Sequence, residues 1–179
     1  MEDQIADRYW AVRFESRKRQ FYYCARMRFW AFLDTASQIL GLVCASNAFV
    51  AVTQGNAAWS RWAVLAVATI SIASICMKAG ERARDCQRLY MEFVGLEGDV
   101  PPPGNGEQTM KGADDAERKL RNLISADPWE IPCLDALCDN LACIAFGISE
   151  RLRLSWIERT IGRYVPIEYR DKAPRPEGQ

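Results

Sequence analysis

Histidine is missing from all 179 residues of this chain. Its absence removes serine–histidine and cysteine–histidine catalysis, histidine metal ligation and a histidine pH switch together. Seven cysteines are present, at positions 24, 44, 76, 86, 133, 138 and 143, but no CxxC pair occurs, so neither a zinc knuckle nor a dithiol redox motif is indicated. Cys133, Cys138 and Cys143 lie five apart, which turns each about 140° from the last and gives no shared ligand face. They read as small apolar core residues. No glycine-rich phosphate loop and no metal-ligand spacing is found. The expectation is a protein that is not an enzyme and carries no cofactor or metal. Net charge is zero as well, so nothing in the overall balance points to a nucleic-acid partner.

Charge itself is missing from two stretches, 35–60 and 62–77. A hydrocarbon core of about 30 Å needs roughly 20 mainly apolar residues in helix. Spans of about 29–52 and 59–77 meet that length. Ile39, Leu40, Leu42, Val43, Phe49, Val50 and Val52 each favour insertion by roughly 0.3–0.6 kcal/mol, opposed by Gln38, Ser46 and Asn47. The first span is therefore marginal alone, and the two are expected to insert as a hairpin. The rival is a soluble helical bundle with these helices as its core. Such a helix keeps a polar face at its surface. Here Thr35, Ser37, Gln38, Ser46 and Asn47 scatter around the whole helix, as do Thr69, Ser71 and Ser74 on the second. So short a chain cannot wrap two such helices completely, which favours lipid.

The flanks agree. Arg8, Arg13, Arg17, Lys18, Arg19, Arg26 and Arg28 precede the first span, and Lys78, Arg82, Arg84 and Arg88 follow the second. Only Arg61 adjoins the turn at 53–60. Positive residues mark the cytoplasmic side, so both termini are expected there, with the turn outside. Aromatics fall where interfacial belts are expected, Phe29, Trp30 and Phe32 on one side and Trp59 and Trp62 on the other. Residues 1–7 lack the basic start and apolar core of a cleavable signal peptide.

The expected fold is all-α: a two-transmembrane-helix hairpin with N- and C-terminal cytoplasmic helices. In order, it comprises a basic helix (1–28), the hairpin (29–78), a helix returning to the cytoplasm (79–94), a Pro/Gly linker (95–113), a helical region (114–165) and a disordered tail (166–179). Within 114–165, Asp114 or Asp115 is expected to cap a helix ending at 125. A second helix opens near Ile131–Pro132. Ile131, Leu134, Leu137, Cys138, Leu141, Ile144, Ala145 and Ile148 form its apolar stripe.

In lipid, helices pack through small residues. Ser37, Gly41, Cys44 and Ala48 fall near one line of the first span, and Ala66, Thr69, Ala73 and Cys76 near one line of the second. Asn47 lies just off the first line, and a polar amide at that depth needs a partner or water. Asn47, Gln38, Gly41, Ser46 and Thr69 are the candidate pore-lining or oligomerisation residues.

The C-terminal segment 134–165, LDALCDNLACIAFGISERLRLSWIERTIGRYV, resembles that of stand-alone SLATT proteins, and the hairpin layout is similar too. The resemblance rests on Leu137, Cys138, Asp139, Asn140 and Gly147; Asp139 stands where the resemblance leads one to expect histidine. It implies an inner-membrane, homo-oligomeric effector of bacterial conflict systems, perforating membranes when a separate phage- or nucleotide-sensing partner triggers it. No catalytic residue is implied. The alternative is a membrane-anchored adaptor or prophage exclusion protein without channel activity, working through its cytoplasmic helices.

Overall fold

The structure, a computed structural model, describes residues 2–53, 62, 64–66, 68–69, 72, 77–101, 109–127, 131–152, 154–156 and 158, with the side chains of 2, 44 and 47–53 excepted. It is all-α, with no strand among the described residues. Four helices have defined bounds: α1 (Glu2–Thr53), α2 (Ala79–Asp99), α3 (Met110–Ser125) and α4 (Pro132–Ala145). The chain forms two compact units, one of Met1–Cys24 with Arg88–Gln179, the other of Ala25–Gln87. No described helix is long and apolar enough to cross a membrane. The expected turn at 53–60 lies, Thr53 apart, outside the described residues, as do half of the linker's prolines and glycines, within 102–108, and the tail at 166–179.

In the first unit the basic end of α1 is the hub. Its buried residues, Tyr9, Val12, Ser16, Arg19, Gln20 and Tyr23, recur every three or four positions and face inward together. Tyr23 and Gln20 meet Phe93 of α2, and Arg17 and Gln20 reach Glu97, so α2 runs antiparallel to α1. Farther along, Tyr9 and Val12 pack with Leu96, Val100, Ala113 and Ala116, against which Ile5, Leu120 and Leu123 close. α4 also runs antiparallel: Tyr22 Oη accepts from Ile131 N (2.9 Å), Lys18 pairs with Asp135, and Phe14 meets Phe146. The basic helix is thus a packed stalk, not an amphipathic surface helix.

Three boundaries differ from expectation. α2 continues through Gly95 and Gly98 to Asp99. Each glycine costs a helix about 1 kcal/mol, but Leu96 and Val100 are buried against α1 and hold the extra turn. α3 begins at Met110, inside the expected linker, with Thr109 as its N-cap; the Thr109 hydroxyl accepts from Gly112 N at 3.1 Å. Asp114 and Asp115 are not caps but pair with Arg8 and Arg118. Finally, the returning helix does not continue smoothly from the second apolar stretch. Lys78 breaks it with φ 46, and α2 restarts with Arg82 N donating to Lys78 O at 3.0 Å.

Gly112 shows why a glycine sits inside α3. The Tyr9 hydroxyl donates to Thr109 O at 3.2 Å and lies where a Cβ on Gly112 would fall. Alanine elsewhere in a helix gains about 1 kcal/mol over glycine; here it must expel a buried tyrosine ring. Gly112→Ala is expected to destabilise by about 1–3 kcal/mol, read as a lower unfolding temperature. Tyr9→Phe/Gly112→Ala, which removes the obstructing oxygen, should recover part of the loss.

α4 ends at Ala145, short of the expected stripe, which runs to Ile148. Gly147 takes φ 72, Ile148 N donates to Cys143 O (2.8 Å) and Gly147 N to Ile144 O (3.2 Å), the paired bonds of a Schellman cap. Its buried face differs from the expected stripe, however. Cys133, Leu134, Ala136, Leu137, Cys138, Ala142 and Cys143 are buried, whereas Leu141 and Ile144 are exposed. Small residues form the contact side because close approach to α1 needs them. The three cysteines are core residues as expected.

In the second unit α1 runs on without interruption to Thr53. Residues 62, 64–66, 68–69, 72 and 77 are helical. Arg82 stacks its guanidinium over Trp30 at 4.7 Å, and the Asp34 carboxylate lies 3.4 Å from where a Cβ of Gly80 would stand.

Candidate functional site

Two constellations stand out, one in each unit. That of the second unit is apolar. Phe32, Ile39, Leu42, Trp62, Val64 and Ile72 are each more than half exposed. Along α1, Phe32, Thr35, Ala36, Ile39, Leu40 and Val43 follow helical spacing and line an open apolar space of about 420 Å³. Single exposed leucines need no explanation, but a continuous face of large ones marks a surface made for lipid or another protein.

The polar groups within this face turn back on their own helix. Thr35 Oγ1 donates to Ala31 O (3.0 Å), Ser37 Oγ to Asp34 O (2.8 Å), Ser46 Oγ to Leu42 O (2.9 Å) and Thr69 Oγ1 to Leu65 O (2.8 Å). Gln38 Nε2 donates to Asp34 Oδ2 at 3.0 Å. A hydroxyl bonded to the carbonyl three or four residues back is satisfied without water. Among the sequence candidates, then, Gln38, Ser46 and Thr69 are exposed and hydrogen-bonded locally, and none of these bonds joins one candidate to another. A Cβ at Gly41 would meet nothing within 4 Å, leaving the backbone open to close approach. The Asn47 side chain lies outside the described residues, as do those of Cys44 and Ala48 and all of Ala73 and Cys76.

Asp34 is not among the sequence candidates. It falls inside the span drawn from 29 yet just before the charge-free stretch, and it engages Gln38 and faces Gly80. A lone carboxylate one turn into an apolar run, with a glycine at the head of the returning helix, was the available signal.

The constellation of the first unit is ionic. Lys18 Nζ lies 2.9 Å from Asp135, 3.6 Å from Asp139 and 3.9 Å from Glu15; Arg19 reaches Glu15 at 2.9 Å and Asp135 at 3.9 Å. Burial works against the Lys18 ammonium. The hydrogen bond to Asp135 and the charges of Glu15, Asp135 and Asp139 outweigh it and hold the pKa above the usual lysine value. A second ionic contact ties α1 to α3. Arg8 Nε donates to Glu117 Oε1 and Nη2 to Asp114 Oδ1, both at 2.6 Å. These bonds raise the Arg8 pKa, and the one from Arg8 holds Glu117 below the usual carboxylate range.

In the segment that carries the SLATT resemblance, residues 137–140 have a structural role. Leu137 and Cys138 are buried, Asp139 pairs with Lys18, and Asn140 clamps the following chain by donating to Leu152 O (2.8 Å) and accepting from Leu152 N (2.7 Å). Burial pushes the Cys133 and Cys143 thiols up, which disfavours the reactive thiolate. No family model matches the chain, and no curated protein or solved structure matches it either.

Proposed function

We propose that the chain is a bacterial inner-membrane protein, non-enzymatic and homo-oligomeric, whose 29–78 hairpin inserts in the bilayer and perturbs it, as the SLATT resemblance implies. The carrying observation is the second unit's exposed apolar face, on which the hydroxyls are satisfied within their own helix. That combination suits hydrocarbon, where a free hydroxyl costs far more than in water. The apolar stretches also continue through side chains outside the described residues, at 44, 47–61 and much of 63–76. Both termini lie on the basic, cytoplasmic side in this reading, and a separate nucleotide- or phage-sensing protein supplies the trigger. An ion path would need Asn47, Gln38, Ser46 and Thr69 brought together between subunits, with Gly41 admitting the close approach.

Induced expression should collapse the membrane potential of the host cell, read with a potential-sensitive dye. Asn47→Leu and Gln38→Leu should each restore polarisation at equal protein level. Depolarisation unmoved by substitutions throughout both stretches overturns the pore. Recovery of the chain in the soluble fraction without detergent overturns membrane insertion itself.

A second reading, a membrane-anchored adaptor, draws on a separate observation. Trp10, 45% exposed, stacks on Phe14 at 5.2 Å and meets Phe146 at 6.3 Å, an aromatic surface on the helical body suited to a protein partner. In that case Trp10→Ala abolishes activity in cells while liposomes holding the protein conduct nothing.

A further inference from the structure

The border of the apolar face carries arginines that no carboxylate neutralises. Arg28, Arg82 and Arg84 are exposed, and none has an ion pair among the described residues. Their neighbours differ: Lys78 is paired with Glu81 at 3.3 Å and Arg88 with Glu92 at 3.9 Å. Arg84 gives its Nε to Gly80 O at 3.2 Å and keeps both terminal nitrogens free. Arg82 is held over the Trp30 ring. Arg28 stands four residues before Phe32, so its charge lies one helical turn from a phenyl ring that is 68% exposed. Of the carboxylates near in sequence, Glu81 is neutralised by Lys78, while the Gln38 amide leaves the Asp34 charge in place, so Asp34 and Asp85 stand against three arginines.

We propose that Arg28, Arg82 and Arg84 form a collar that binds the phosphates of anionic phospholipids, so that the hairpin seats in the negatively charged leaflet. This rests on the membrane reading above and adds headgroup selection to it. Guanidinium groups match phosphate oxygens bidentately, and a cation stacked on an interfacial tryptophan sits at headgroup depth. The apolar face adjoining the collar decides among anionic partners: a lipid offers phosphate and hydrocarbon at one boundary, whereas a nucleic acid or an acidic peptide leaves the apolar face uncovered.

The test reconstitutes the full chain into phosphatidylcholine vesicles and into vesicles with about one-third phosphatidylglycerol. Tryptophan quenching by brominated phosphatidylglycerol is compared with quenching by brominated phosphatidylcholine. The parent chain should prefer the anionic lipid by about five-fold for each arginine engaged. Arg28→Gln/Arg82→Gln/Arg84→Gln should fall to parity while still floating with the vesicles. Half-molar salt should weaken the parent's preference even if that variant fails to fold. Equal quenching by both lipids in the parent overturns the collar and leaves the membrane reading standing. So does a preference that survives the triple substitution. Failure to associate with either vesicle removes the membrane reading, and the collar with it.

Discussion

Phe93→Ala is expected to cost the helical body about 3–5 kcal/mol, the range for a large aromatic removed from a packed core. Phe93 is fully buried, stacked on Tyr23 with centroids 5.5 Å apart and planes at 16°. Tyr23 in turn meets Tyr22 edge-on at 5.4 Å, and Tyr22 is fixed from the other side by Ile131 N. Three aromatic rings therefore link α2, α1 and the start of α4, and deleting the first leaves a void that rigid rings cannot refill. The loss is a large fraction of the stability of a small domain, about 5–15 kcal/mol. Thermal unfolding of the detergent-solubilised full chain, followed by circular dichroism, should show a large drop in midpoint. Phe93→Leu, which keeps most of the volume, should lose less than half as much. A midpoint unchanged by Phe93→Ala refutes this account of the core.

The helical character of the chain was legible in its periodicities, and so was the start of α4 at its proline; its end was not, because the apolar stripe runs on past Gly147 to Ile148. What escaped the sequence was which faces meet. On α1 the inward face includes Ser16, Arg19 and Gln20, polar residues that hide the stripe begun by Tyr9 and Val12. Gln20 is answered from far along the chain by Glu97, and Arg19 by Glu15 one turn before it and, at longer range, by Asp135. Nothing local announces the contact of Gln20 with Glu97. On α4 the contact is made by alanines and cysteines, which hydrophobic periodicity weights lightly, while Leu141 and Ile144 point elsewhere. The glycines misled in the other direction. Gly95, Gly98 and Gly112 mark helix breaks in isolation, yet tertiary burial of Leu96 and Val100 and the space taken by Tyr9 reverse that local preference. Of the candidate site, the apolar face of α1 was legible as a run without charge. The arginines beside it were visible too, but which of them lack an ion pair depends on side-chain geometry.

Lys18→Met should destabilise the contact of α1 with α4 by about 3 kcal/mol. Breaking a buried ion pair from one side costs roughly 3–5 kcal/mol, and the lower end applies because the four side chains Lys18, Glu15, Asp135 and Asp139 retain 13–28% of their exposure. The cluster holds two cations, Lys18 and Arg19, against three carboxylates, so losing Lys18 leaves Arg19 alone with Glu15, Asp135 and Asp139. Removing the orphaned charge should repair much of the damage: Lys18→Met/Asp135→Leu should be markedly more stable than Lys18→Met. The pH dependence separates this cause from lost packing. Because the folded pKa of Lys18 lies above its ordinary value of 10.5, its contribution is fully present below that value and is lost as the pH rises through the folded pKa. The gap between the parent and Lys18→Met should therefore be constant near neutrality and shrink in alkaline solution. Denaturant midpoints measured across that range check it. Parallel curves for the two proteins would mean that Lys18 acts through its hydrocarbon stem and not through its charge.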